Sequence, residues 1–341
     1  MNYPETLAWI HGTERFGSRL GLGRMGRLLH RMGDPHLKVP YIHVAGTNGK
    51  GSTTTMIASA LTAGGFKTGK FISPFILEFR ERMQIDSEMI PEETLAALAT
   101  RLRPIAEEFK AAGDPPTEFE LVTVLGLTWF AEAGCDIAVL EVGLGGRLDA
   151  TNIIPPPLVA VITRIDYDHT AILGDTLAAI AGEKCGILKR GSTVICYPDQ
   201  EEEALAVIRR RAKEEDDPLI LPDRTALSVL SADLTGSRIL YRGQEVFIPL
   251  PGPHQVLNTI TAVEALNALS SSRFALPPSA IAAGIAAARF PARLELLRQS
   301  PPVLVDGAHN PNGGRALCEA LKALDLHDLT AVVGMLRDKD C

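Results

Sequence analysis

The strongest constraint in this chain is the run from Val39 to Ala63, where an apolar strand-like stretch, a glycine-rich turn and a helix-like stretch follow one another without interruption. The turn reads Ala45-Gly46-Thr47-Asn48-Gly49-Lys50-Gly51-Ser52. A turn of this kind aims backbone N–H groups and a helix N-terminus at one point, which favours a phosphate. Lys50 adds a cation there, so ATP is the ligand the turn suggests. The usual spacing would place glycine at Val44 and a hydroxyl at Gly51, so this loop is a variant with its hydroxyl at Ser52. An ordinary Gly- and Asn-rich connection is the competing reading.

Apolar runs alternate with amphipathic segments over the first two hundred residues. Strands are expected at Tyr41 to Ala45, Thr68 to Ile72, Asp136 to Val142, Leu158 to Thr163 and Thr193 to Tyr197. Helices are expected at Ser52 to Ala63, Glu92 to Ala111, Phe119 to Ala133 and Thr176 to Leu188. The pattern predicts an α/β fold: a mostly parallel, P-loop-type sheet with helices on both faces and ligands at the carboxyl ends of its strands. Between residues 218 and 250 the pattern shifts to short alternating runs, with Arg242-Gly243 as a hairpin turn, and reads as a β-rich decoration. Helices at Val256 to Ser270 and Ser279 to Ala288 follow. We place a domain boundary near Leu297 to Pro302, giving an ATP-binding unit of residues 1–297 and a second unit of residues 298–341. The second unit reads as strand Val303 to Asp306, helix Pro311 to Ala323 and strand Thr330 to Gly334, too little to close a core, so an incomplete Rossmann-like α/β domain is expected.

The 341 residues carry a formal charge of -7, which gives no reason to expect nucleic acid. Five cysteines without a C-x-x-C pair cannot all be bonded within one chain, which suits a reducing cytoplasm. No apolar run approaches the roughly twenty residues that cross a bilayer, and Met1 to Glu5 lack a signal pattern, so no membrane partner is expected. A monomer acting on small molecules is the expectation.

Polar clusters follow the strands. Glu141 ends an apolar run and opens a loop rich in glycine, and a carboxylate there supplies the hard oxygen that Mg²⁺ on a nucleotide needs. Asp168-His169-Thr170 sits beyond the next strand, where His169 could ligate a metal or act as a base. Lys184 alone reads as a solvated helix lysine. Thr117-Glu118-Phe119-Glu120 reads as a capping box, and Ser73-Pro74 as a turn. Asp306 to Pro311 again places polar groups between a strand and a helix.

Taken together, these motifs resemble the Mur ligase superfamily, and within it the folylpolyglutamate synthase/dihydrofolate synthase family. The resemblance runs through G-T-N-G-K-G-S at Gly46 to Ser52, Ser73-Pro74, the run from Leu140 to Asn152, Asp168 to Thr170, Gly182 to Ile187, His254 to Asn258 and Asp306 to Pro311. It implies ATP-dependent addition of L-glutamate to dihydropteroate or a folate through an acyl phosphate. Gly46, Thr47, Asn48, Gly49, Lys50, Gly51 and Ser52 would bind ATP, with Asn258, Arg293 and Asp306 on the far side of the cleft. Ser73, Glu141 and His169 would hold two Mg²⁺ ions, and Lys184 would be carbamylated by CO₂. Lys50, His169 and Lys184 are the implied catalytic residues. Thr117, Glu118, Phe119, Glu120, Leu148, Asp149 and Ala150 would lie near the pterin-bearing substrate. Phe75 departs from the family, which usually has histidine after Ser-Pro. Two alternatives stand beside this reading: an impaired ATP-binding protein lacking part of its second domain, and a Mur-type ligase acting on a cell-wall precursor.

Overall fold

The computed structural model describes residues 1–13 and 21–334. Two helices come first, α1 (Tyr3–His11) and α2 (Gly23–Arg31), followed by β1 (Tyr41–Ala45), α3 (Lys50–Ala63) and β2 (Thr68–Phe71). Next come β3 (Met83–Ile85), β4 (Glu88–Met89), α4 (Glu92–Ala111), α5 (Glu118–Glu132) and β5 (Ile137–Glu141). Then follow β6 (Val159–Ile162), α6 (Thr170–Leu173), α7 (Leu177–Lys184), β7 (Thr193–Cys196), α8 (Glu202–Glu215) and β8 (Leu219–Ile220). These eight strands form one sheet in the order β4-β3-β2-β5-β1-β6-β7-β8. All neighbours from β2 to β8 run parallel, and only the β2–β3 and β3–β4 pairs are antiparallel.

The central strands β1, β5 and β6 are buried along their whole length, which is why they read as continuous apolar runs rather than as alternation. One face packs against α1, α2, α4 and α5 through Met25, Leu28, Leu95, Leu121 and Leu125. A cluster around α7 and α8 continues this same face over β6 and β7, and the opposite face is covered by a cluster around α3. Neither α1 nor α2 was anticipated from the sequence.

Past the main sheet, β9 (Leu227–Asp233), β10 (Gly236–Tyr241) and β11 (Gln244–Ile248) form a separate antiparallel sheet. Tyr241 pairs with Gln244 across Arg242 and Gly243, both at positive φ, so the expected two-residue hairpin is present. Helix α9 (Pro253–Asn267) lies against this sheet, and Glu264 on it accepts hydrogen bonds from Tyr241 Oη and Arg242 Nε, each at 2.6 Å. After α10 (Pro278–Ala287) the hairpin β12 (Glu295–Gln299) and β13 (Pro302–Val305) leads into α11 (Pro311–Ala323). The strand expected at Thr330 to Gly334 is not formed. Its apolar run pairs with no neighbour among the described residues, and Val332 and Val333 are exposed. No helix among the described residues is long and apolar enough to cross a membrane.

Helices α3 and α10 approach so closely at Gly284 that an added Cβ would lie 2.2 Å from Ala60 Cα and 2.6 Å from its nitrogen. Backbone, not a flexible side chain, occupies that space. Gly284→Ala should therefore lower stability by about 1–3 kcal/mol, read as a lower urea midpoint at unchanged m. An unshifted midpoint would mean that the helices separate freely.

Candidate active site

Strand register builds the site. Val44 of β1 lies level with Glu141 of β5, and Ala45 lies level with Ile162 of β6. The three loops that leave these strands therefore start side by side at one edge of the sheet, where parallel sheets gather ligands. They surround a cavity of about 350 Å³. Its walls hold Gly46 to Ser52, Ser73, Glu141, Asp168, His169, Lys184, Asn258, Arg293 and Asp306. Every residue expected at the nucleotide and metal is thus brought to one place.

The turn after β1 is pinned rather than free. The N–H groups of Thr47 and Asn48 donate to Arg164 O at 2.8 and 3.3 Å, so these two are already engaged. Helix α3 makes its first ladder bond from Thr53 N–H to Gly49 O, which leaves the N–H groups of Lys50, Gly51 and Ser52 ahead of the ladder at the cavity wall. Gly49 has φ 85°, and an added Cβ would meet Asn258 Oδ1 at 2.4 Å, so both conformation and space require glycine. Lys50 Nζ donates to Thr47 O at 3.2 Å. Ser52 Oγ accepts from Gln255 Nε2 at 3.3 Å, which gives this hydroxyl a partner in α9.

Glu141 is 5% exposed and accepts the Ser73 N–H at 3.2 Å. Burial raises its pKa, opposed by the nearby cations of Lys50 and Arg293 and by the Ser73 bond. His169 is more open, with 45% of its side chain exposed, and its N–H donates to Asp168 Oδ1 at 2.9 Å. Asp306 holds the far wall: its two oxygens accept from Leu294 N and Ala308 N, both at 2.8 Å. Arg293 lies over the Phe290 ring.

The other expected residues, Thr117 to Glu120 and Leu148 to Ala150, do not line this cavity. Thr117 and Glu120 form the capping box of α5, and Arg24 Nε donates to both Glu120 oxygens at 3.0 and 2.9 Å. Glu118 pairs with Arg82 at 3.7 Å and His11 at 3.4 Å. The Phe119 ring lies against Gly143. Asp149 accepts from Leu144 N at 2.9 Å and from Thr151, which in turn contacts His43 Nε2 at 2.9 Å. Burial raises the Asp149 pKa. Leu148 and Ala150 flank it and do not line the cavity. Sequence reasoning missed Arg164, Tyr197 and Asp199, although all three follow β6 or β7 at the ligand-facing edge, and it did not single out His254 or Gln255 within a quoted motif.

Lys184 is the least ordinary group. It is 4% exposed, and its Nζ donates to Gly46 O at 2.8 Å. Burial, helped by the Lys50 charge, lowers its pKa to about 7 from 10.5. Between pH 7 and 10.5 the unfolded chain therefore holds a proton that the folded chain has released, so stability rises with pH across that window. Below pH 7 the cost of the buried charge is complete, and above 10.5 it is gone. In CO₂-free buffer, Lys184→Met should remove this rising component. Equal slopes of stability against pH for both proteins would contradict the assignment.

Comparisons with known proteins agree with this geometry. Residues 44–266 match the Mur ligase middle domain. The chain is 39% identical to folylpolyglutamate synthase of Lacticaseibacillus casei, over all of this chain and 81% of that protein. It is 38% identical to dihydrofolate synthase/folylpolyglutamate synthase of Bacillus subtilis (strain 168), over 99% of this chain and 80% of the relative. A solved FPGS–AMPPCP–folate complex superposes with a TM-score of 0.88 at 37% identity, covering 95% of this chain and 81% of the other. With sequence identity over nearly the whole chain and a shared fold behind that similarity, the chain belongs to the folylpolyglutamate synthase/dihydrofolate synthase family of Mur ligases.

Proposed function

We propose that this protein is an ATP-dependent ligase that adds L-glutamate to dihydropteroate, a folate, or both. The observation that carries the reading is the convergence of Lys50, Ser73, Glu141, His169 and Lys184 on one cavity beside the N-terminus of α3. In the reaction, the acceptor carboxylate attacks the γ-phosphorus of ATP and ADP leaves. The glutamate amine then attacks the acyl carbon, phosphate leaves and the amine gives up a proton.

The physical obstacle is the approach of two anions. Lys50 and the N–H groups of Lys50, Gly51 and Ser52 lower that repulsion and fix the phosphate in line. Asn258 supports the turn from beneath Gly49, while Arg293 and Asp306 close the opposite wall. No protein nucleophile takes part. We assign the acceptor to the side where Phe119 and Asp149 back the glycine loop. Glutamate is assigned to the segment from residue 298 onward, in a chain divided after residue 297. Closure of these two parts would exclude water.

The donor set fits magnesium carried on a nucleotide. Among the described residues there is no cluster of three or more His, Cys, Asp or Glu that could hold a metal. Mg²⁺ commonly takes one or two protein ligands and completes its shell with phosphate oxygens and water. Glu141, Ser73 and His169 would hold two such ions, which when bound neutralise phosphate charge. Lys184, with an amine that is substantially neutral near pH 7, suits attack on CO₂: nitrogen bonds to carbon, a proton leaves, and a carbamate replaces the ammonium. The cysteines Cys135, Cys185, Cys196 and Cys318 are free, which suits our assignment to the cytoplasm.

Incubation with MgATP, L-glutamate and either dihydropteroate or a reduced folate should give a product one glutamyl unit heavier by mass spectrometry. Lys50→Ala should cut the rate by about 10²-fold or more. Nucleotide binding without product would favour the impaired binding protein. A second measurement concerns the lysine: in ¹³C-bicarbonate, NMR should show a carbamate carbon that is absent from Lys184→Met. The same spectrum from both proteins would rule the modification out.

A further inference from the structure

The phosphate turn is held from a distant part of the chain. Asn48, within the turn, donates through Nδ2 to Asn312 Oδ1 at 2.7 Å and accepts through Oδ1 from Asn310 Nδ2 at 3.2 Å. Both partners lie at the start of α11, more than 260 residues later in sequence. The same two asparagines reach the loop after β6. Asn312 Nδ2 donates to Asp166 Oδ2 at 2.5 Å, and Asn310 Nδ2 donates to Asp168 Oδ2 at 3.0 Å. Arg315, one turn further along α11, donates to Asp166 Oδ2 at 3.3 Å. Asp166 in turn is tied to the phosphate turn, since its N–H donates to Thr47 Oγ1 at 3.0 Å and its carbonyl accepts from that hydroxyl at 2.9 Å.

Three segments thus meet in one network: residues 47–48, residues 166–168 and the first turn of α11. Asn310 does two tasks at once. Its Oδ1 caps α11 by accepting from Gly313 N at 2.7 Å, which leaves the amide nitrogen to span Asn48 and Asp168. Asn312 is 7% exposed, so its bonds are formed with little competition from water. We propose that Asn310 and Asn312 are positioning residues, which set the distance between the phosphate turn and the Asp168-His169 loop through the first turn of α11. The nucleotide part of this inference rests on the ligase reading above. Its consequence is that docking of α11 and the geometry of the phosphate site form one cooperative unit.

The test separates a tie from a merely docked helix. Asn310→Ser keeps a good helix cap but is too short to span both loops, and Asn312→Ala removes the second link. Hydrogen exchange on the full chain and calorimetric binding of MgADP are measured for both variants, for Asn48→Ala alone, and for Asn48→Ala with Asn312→Ala together. Exchange should quicken at residues 46–52 and 164–169 as well as in α11. MgADP affinity should fall by about threefold to thirtyfold, and the double variant should lose less than the product of its single losses. Faster exchange confined to α11, with loop exchange and affinity unchanged, would overturn the proposal. A wild-type chain that binds no MgADP would count against the ligase reading instead, and loop exchange would still decide the tie.

Discussion

The parallel register of β1 against β5 and β6 is the constraint on which the rest of this molecule depends. Because Val44 and Glu141 are level, and Ala45 and Ile162 are level, three loops leave the sheet at one height. A slip of one residue would send Glu141 to the other face and take its carboxylate out of the cavity. The burial of all three strands makes such a slip costly, since each residue on either face is already packed. A rigid, dry sheet is therefore what allows a charged site to be assembled from short, flexible turns.

Charge is the second organising element. Glu141 and Lys184 are both buried close to Lys50, and burial disfavours the charged form of each. The protein leaves these groups poised toward neutrality in the absence of a highly charged partner. A bound nucleotide changes the charge beside both groups, so their protonation is coupled to its binding.

Much of the fold was legible because fully buried parallel strands are continuous apolar runs and their intervening helices carry clear caps. Helix Glu92–Ala111, which starts behind Pro91, and helix Pro311–Ala323, which Asn310 caps, match their expected limits. Elsewhere the local signal was poor. In α2, the glycines and arginines of Gly-Arg-Met-Gly-Arg hide a face whose Met25, Leu28 and Leu29 are fully buried. Strand β12 is largely exposed and polar, so it shows no apolar face, while Thr330 to Gly334 is apolar and joins no ladder among the described residues. The site divides the same way. Residues in motifs at strand ends could be named from spacing, and Arg164 and Tyr197 carry the same strand-end signal without a motif, whereas Asn312 reaches the cavity through tertiary packing that no local pattern encodes.

The small sheet of β9, β10 and β11 bears on the site through α9. That helix is bonded at Glu264 to Tyr241 and Arg242 beside the hairpin turn, and about two turns earlier it carries Asn258 beneath Gly49 and Gln255 against Ser52. A rigid rod gripped at one end transmits tilt to the other. Sequence drift around the hairpin is thus restrained by the catalytic edge, although no side chain of that sheet reaches the cavity wall.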